Sequence, residues 1–137
     1  MLSKNFSEQE FVRTNTKIAN ALPDNLRLNR DSLCSQLQVL RDFIGKPIVI
    51  NSAYRSPEVN KAVGGAIYSK HLLCLAADIR CPGLSNLDLL CAILNSPAQF
   101  SRILIEPSWI HVEVDYSSQP SGIRFYNTRI MLNLTGK

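Results

Sequence analysis

At 137 residues the chain is the size of one domain, able to bury roughly two-thirds of its unfolded surface. With 45% apolar and 19% charged residues it has the composition of a folded globular protein, which excludes a disordered or low-complexity chain. The net charge of +4 is spread without a run of Lys or Arg, so it carries no nucleic-acid footprint, and the longest apolar runs are too short to insert stably in a membrane.

The first residues, Met1-Leu2-Ser3-Lys4-Asn5-Phe6-Ser7-Glu8, lack an apolar core of signal-peptide length, so the expectation is a protein made in the cytoplasm. Ser7-Glu8-Gln9-Glu10 before Phe11 is a capping-box pattern that predicts a short helix. Residues 20–30 are polar and contain Pro23 and Asp24, which reads as loop. Asp31 or Ser32 is expected to cap a firmer helix with Leu33, Leu37, Leu40 and Ile44 on one face and Gly45 as its stop. The β-branched run Ile48-Val49-Ile50 predicts a strand over residues 47–52.

Arg55-Ser56-Pro57 then predicts a turn, followed by one helical turn up to Gly64-Gly65. Residues 76–79 read as a short buried strand. Ser85 is expected to cap a helix whose apolar face holds Leu87, Leu90, Cys91 and Leu94, ended by Asn95-Ser96-Pro97. Residues 102–106 and 109–114 predict two strands joined by Pro107-Ser108. A Ser-, Pro- and Gly-rich loop covers residues 117–122, and residues 130–134 predict an edge strand. The sum is an α+β domain with helices early and a mostly antiparallel sheet late.

The four cysteines are Cys34, Cys74, Cys81 and Cys91, and none forms a Cys-x-x-Cys pair, which argues against a zinc knuckle. Cys34 and Cys91 are expected in the core. The two histidines, His71 and His111, carry more information. Two imidazoles and a carboxylate are a common catalytic zinc set with a position left for water. Asp78 sits in an otherwise apolar Ala-Ala-Asp-Ile strand and is costly to bury without a partner. A metal is one such partner, and Arg80 or Arg55 is another.

His111 shares a strand face with Trp109 and Glu113, because side chains alternate with period two. If Pro107-Ser108 is a two-residue turn, Glu106 lies across from Trp109 and diagonal to His111, about 7–8 Å away at the backbone. Glu106 is then the stronger candidate for general base and Glu113 the weaker.

Four motifs follow one another: Asn51-Ser52-Ala53-Tyr54-Arg55-Ser56-Pro57, Asn60-Lys61-Ala62-Val63-Gly64-Gly65, Ser69-Lys70-His71 with Ala76-Ala77-Asp78, and Trp109-Ile110-His111-Val112. In this order and spacing they resemble the zinc D-alanyl-D-alanine carboxypeptidases and their phage endolysin relatives that cut L-alanyl-D-glutamate bonds. The likeness runs over residues 2–114. It implies the fold shared with the hedgehog signalling domain, a small antiparallel sheet flanked by helices, and Zn2+ held by His71, Asp78 and His111. It also implies that Arg55 holds the substrate and the developing oxyanion, and that Ser69 contacts the substrate peptide. Tyr54 and Trp109, neighbours of these residues in the motifs, are assigned to substrate binding.

The implied substrate is a peptidoglycan stem peptide, cleaved by a monomer that reaches the wall after lysis or through a membrane lesion. The alternative is a wall-binding or structural protein that keeps the fold but has lost hydrolysis. Two positions depart from the family pattern. Ser108 stands where many members carry the catalytic acid, three residues before the last histidine, while Glu106 lies at the end of the preceding strand, as in the phage-type branch. Cys74 stands where Gly is common, which is tolerable only if the backbone there does not need positive φ; it reads as a packing residue.

Overall fold

Two strands carry the alternation that sorts the sheet. In Ala76-Ala77-Asp78-Ile79-Arg80 and Ile110-His111-Val112-Glu113, neighbouring side chains point to opposite faces, so one face collects Ala77, Ile79, Ile110 and Val112 and the other collects Asp78, His111 and Glu113. The computed structural model describes residues 1–115 and 129–132. There the strands are β1 (Val49–Ser52), β2 (Ala76–Arg80), β3 (Arg102–Ile105), β4 (Ile110–Glu113) and β5 (Arg129–Leu132).

They form one sheet in the order β1-β2-β4-β3-β5. The first four are antiparallel to their neighbours, and β5 runs parallel to β3 at the edge. The small antiparallel sheet flanked by helices is thus present, with one parallel edge strand added. The loop expected at residues 117–122 lies outside the described residues.

The apolar face is covered by two helices, α1 (Arg27–Ile44) and α3 (Asn86–Asn95). Leu33, Leu37 and Leu40 from α1 and Leu89, Leu90 and Ile93 from α3 join Ile50, Ile79, Ile103, Ile110 and Val112 in one buried cluster. Each such side chain contributes about 1.5–3 kcal/mol when fully buried. The helix stops and caps follow the sequence: Gly45 closes α1 at φ 71°, and the Ser85 hydroxyl accepts the Asp88 N–H at the start of α3.

Two expectations about the helices fail. α1 begins at Arg27, a turn before Asp31, and continues directly from a 3-10 turn over Asp24–Leu26. Within this added turn Asn29 is buried and its amide donates to the Leu73 carbonyl at 3.0 Å, which ties the polar stretch to the rest of the fold. On α3, Leu87, Leu94 and Cys91 are exposed, and the stripe that meets the core is Leu89, Leu90 and Ile93. The helix is apolar on both sides, so periodicity alone offered two overlapping stripes, and contact with the sheet selects the other one. Cys91 is therefore not a core residue, whereas Cys34 is.

A short third helix, α2 (Pro57–Ala62), and the loop after it stand over the polar face. Ser56 caps α2 by accepting the Val59 N–H at 3.2 Å, with Pro57 at the first helical position, where its missing N–H is harmless. No described helix is long and apolar enough to cross a membrane.

Candidate metal centre and its cleft

Register places the polar residues in a row. Asp78 on β2 is directly opposite His111 on β4, and Ser52 on β1 is opposite Asp78. His71 comes from a different element, a 3-10 turn over Lys70–Leu73 capped by the Ser69 hydroxyl, which accepts the His71 N–H at 3.2 Å. The Arg55 N–H donates to the His71 carbonyl at 3.0 Å, so the turn is stitched to the segment after β1.

The three side chains converge. His71 Nε2 is 3.4 Å and His111 Nδ1 2.9 Å from Asp78 Oδ1, and one donor atom from each residue lies within 4.8 Å of the others. Donors 2.0–2.1 Å from a tetrahedral zinc are about 3.3 Å apart, which the two separations from Asp78 Oδ1 approach. Each ring is held through its other nitrogen. His71 Nδ1–H donates to the Ala53 carbonyl at 2.6 Å, which turns Nε2 toward Asp78. His111 Nε2–H donates to Glu113 Oε2 at 2.7 Å.

The charges follow from this packing. Burial alone would raise the Asp78 pKa, but hydrogen bonds from His111 and His71 and the attraction of both rings outweigh it and hold the carboxyl well below the usual range. Burial would lower the His111 pKa, yet the hydrogen bonds and charges of Asp78 and Glu113 push it up to about 9. Carboxylates only accept, so in the metal-free chain both His111 nitrogens donate and the ring is charged. Metal binding would release that Nδ1 proton.

Asp78 has a second partner. Arg55 donates from one terminal nitrogen to Asp78 Oδ2 at 3.2 Å, from the other to Asn60 Oδ1 at 3.3 Å, and from Nε to Ser52 Oγ at 3.1 Å. The two partners foreseen for Asp78 are thus compatible, one on each carboxylate oxygen. Arg80 is not a partner of Asp78; it is exposed and donates to Asn51.

A cleft of about 620 Å³ opens over this row, lined by Arg55, Ser69, His71, Asp78, Glu106, Trp109 and His111 among others. The Glu106 N–H donates to the Trp109 carbonyl at 3.1 Å, so Pro107-Ser108 is the two-residue link and Glu106 lies where alternation put it. The Asn86 amide clamps both ends of that link, donating to the Glu106 and Trp109 carbonyls. Ser108 is exposed and faces a separate hollow with Arg80, Pro82 and Asn86.

Tyr54 departs from its expected place at the substrate. It is 4% exposed within the apolar cluster and does not line the cleft. The chain has left β1 at this point, and Tyr54 packs with Ala53 in the core while Arg55 lines the cleft. Cys74 has φ 55°, so the backbone does adopt the conformation that favours Gly. The residue is nonetheless a packing group: it is fully buried, burial pushes its thiol up to about 12, and it is not part of the His-Asp-His cluster. Sequence reasoning assigned no role to Asn60, Asn86 or Arg102. Period two from Glu106 and Leu104 would have put Arg102 on the cleft face; the two asparagines gave no signal beyond their motif or cap neighbourhood.

Two imidazoles and a carboxylate converging on the floor of an open cleft are the donor set of a metal-dependent hydrolase. Residues 4–113 match the family model described as Peptidase M15, and the chain belongs to that family of zinc D-Ala-D-Ala carboxypeptidases. M15 peptidases are metallopeptidases, and the His71-Asp78-His111 cluster could bind a metal. A search of curated proteins found no match to the chain.

Proposed function

We propose that the protein is a zinc peptidase that hydrolyses an amide bond of peptidoglycan stem peptides, of the D-Ala-D-Ala or L-Ala-D-Glu type, and that it meets the wall after release from the cell. The convergence of His71 Nε2, Asp78 Oδ1 and His111 Nδ1 in the cleft floor carries this reading. Zinc held by these three supplies a Lewis acid and a water acidified toward neutrality.

The chain's own groups do the rest. Arg55, locked by Ser52, Asn60 and Asp78, keeps Asp78 oriented and presents fixed positive charge to the oxyanion that develops on the scissile carbonyl. Ser69 lines the cleft and directs its hydroxyl hydrogen at a peptide carbonyl, while Trp109 offers an aromatic wall to the apolar parts of the peptide. Glu106 takes the proton from the attacking water and delivers it to the departing amine.

Two observations favour Glu106 over the alternatives. Glu113 Oε2 is committed to His111 and to Arg102, at 2.7 and 3.3 Å. Burial would raise its pKa, but these two partners bring it below the ordinary value, a poor setting for a group that must take up a proton near neutrality. Ser108 stands outside the cleft lining, so with this two-residue link the position three before His111 is not the one that faces the reaction.

Digestion of purified peptidoglycan, read by mass spectrometry, is the test. The expected result is a new amine end on stem-peptide fragments, lost on chelation and in His71→Ala. A His71→Ala protein that cleaves as well as wild type contradicts the proposal. The rival, a wall-binding protein without hydrolysis, draws on Ser108. It predicts that wild type and Glu106→Gln are equally inactive on every wall preparation while both bind it.

A further inference from the structure

We infer that Glu113, braced by Arg102, is a positioning residue that ties down His111 Nε2 and so presents Nδ1 to the metal beside Asp78 and His71. The inference rests on the metal reading above and concerns a residue that reading leaves without a role.

The two histidines turn opposite nitrogens toward Asp78: His71 uses Nε2 and His111 uses Nδ1. An imidazole that gives a lone pair through one nitrogen keeps its proton on the other, and the acceptor for that proton sets the orientation of the ring. For His71 the acceptor is a backbone carbonyl, Ala53, which the fold supplies whatever the side chains. For His111 it is the Glu113 carboxylate at 2.7 Å, which one substitution can remove.

Placement of that carboxylate follows from the strand. Glu113 is two residues beyond His111 on β4, hence on the same face, and it is only 6% exposed. A carboxylate so buried needs charged or hydrogen-bonding partners. Arg102 is directly opposite on β3 and donates to the same Oε2 at 3.3 Å. Glu113 is not part of the His-Asp-His cluster. Its contacts therefore orient a ligand and, by placing negative charge on the far nitrogen, make Nδ1 a better donor. Removal of such a partner generally lowers metal affinity about 10- to 100-fold.

The test measures zinc affinity by chelator competition in wild type, Glu113→Ala, Glu113→Gln and His71→Ala, with a melt of each metal-free protein to verify folding. Glu113→Ala is expected to bind zinc about 10- to 100-fold more weakly. Glu113→Gln, whose amide oxygen still accepts from Nε2–H, is expected to recover most of the loss. Nitrogen NMR of zinc-loaded wild type, which depends on no variant, should find the His111 proton on Nε2.

A folded Glu113→Ala protein with wild-type affinity overturns the inference, as does a zinc-loaded His111 protonated on Nδ1. If Glu113→Ala does not fold, Glu113→Gln and the NMR signature decide. A wild-type protein that takes up no zinc, or a His71→Ala protein that binds it unchanged, overturns the metal reading itself.

Discussion

Gly65 is the position where one methyl group should disturb the site from a distance. A Cβ built there would run into the Asn60 side-chain amide, with Asn60 Cγ at 2.7 Å and an Arg55 terminal nitrogen at 3.0 Å. The amide cannot simply swing aside. Asn60 is 5% exposed, accepts from Arg55, and donates to the Ala66 carbonyl at 2.9 Å. Gly65→Ala thus breaks two hydrogen bonds worth about 1 kcal/mol each, and more where a buried group is left unpaired, for a total of about 2–4 kcal/mol. In a chain of this size 1 kcal/mol shifts the melting temperature by roughly 4 °C, so the variant should melt about 8–16 °C lower. The assay is a double-mutant cycle with Asn60→Ala, read by denaturant unfolding. With Asn60 removed, the added cost of Gly65→Ala should fall to about 1 kcal/mol or less, since neighbouring sites couple through the group they share. An equal cost in both backgrounds, or no cost in either, refutes the argument.

Glu106→Gln should lower the hydrolysis rate by about 10²- to 10⁴-fold, the usual worth of a general base, while zinc affinity stays within a few-fold of wild type. In the metal-free protein His111 keeps its proton up to about pH 9, against 6.5 as its ordinary value. Its contribution to stability is therefore complete below about pH 6.5 and lost as pH rises through 9, so melts of the chelated protein should fall in temperature across that window; a flat profile would contradict the ion-pair geometry. Alkylation of the native protein should label Cys91, which is exposed, before Cys34, Cys74 and Cys81, which are buried. Cys74→Val should destabilise the fold by about 1–2 kcal/mol or more, because a β-branched side chain at φ 55° is strained.

The strands were legible from the β-branched run Ile48-Val49-Ile50 and from the short apolar stretches that follow, and alternation about His111 carried Glu106, Trp109 and Glu113 to its face. Asp78 was legible as a buried acid needing a partner, though the sequence could not say that the two histidines and Arg55 would share it, one oxygen facing the rings and the other Arg55. Where the reading failed, the deciding contacts were long-range. Asn29, in the early turn of α1, is tied to a carbonyl 44 residues away, a contact that no local cap signals. The buried stripe of α3 was chosen by the sheet from two equivalent ones. Tyr54 was carried into the site by its neighbour Arg55, although Tyr54 packs in the core and Arg55 lines the cleft. Cys74 was read as a packing residue and is fully buried, but the condition set for it fails, since it occupies the left-handed region at φ 55°.

The most direct test is metal content with coordination: zinc per chain in the purified protein, and X-ray absorption at the zinc edge. One zinc bound by two imidazoles and one carboxylate oxygen, absent from Asp78→Ala and His71→Ala, is the predicted result. A protein that binds no zinc when folded, or that keeps its zinc in both variants, contradicts the account.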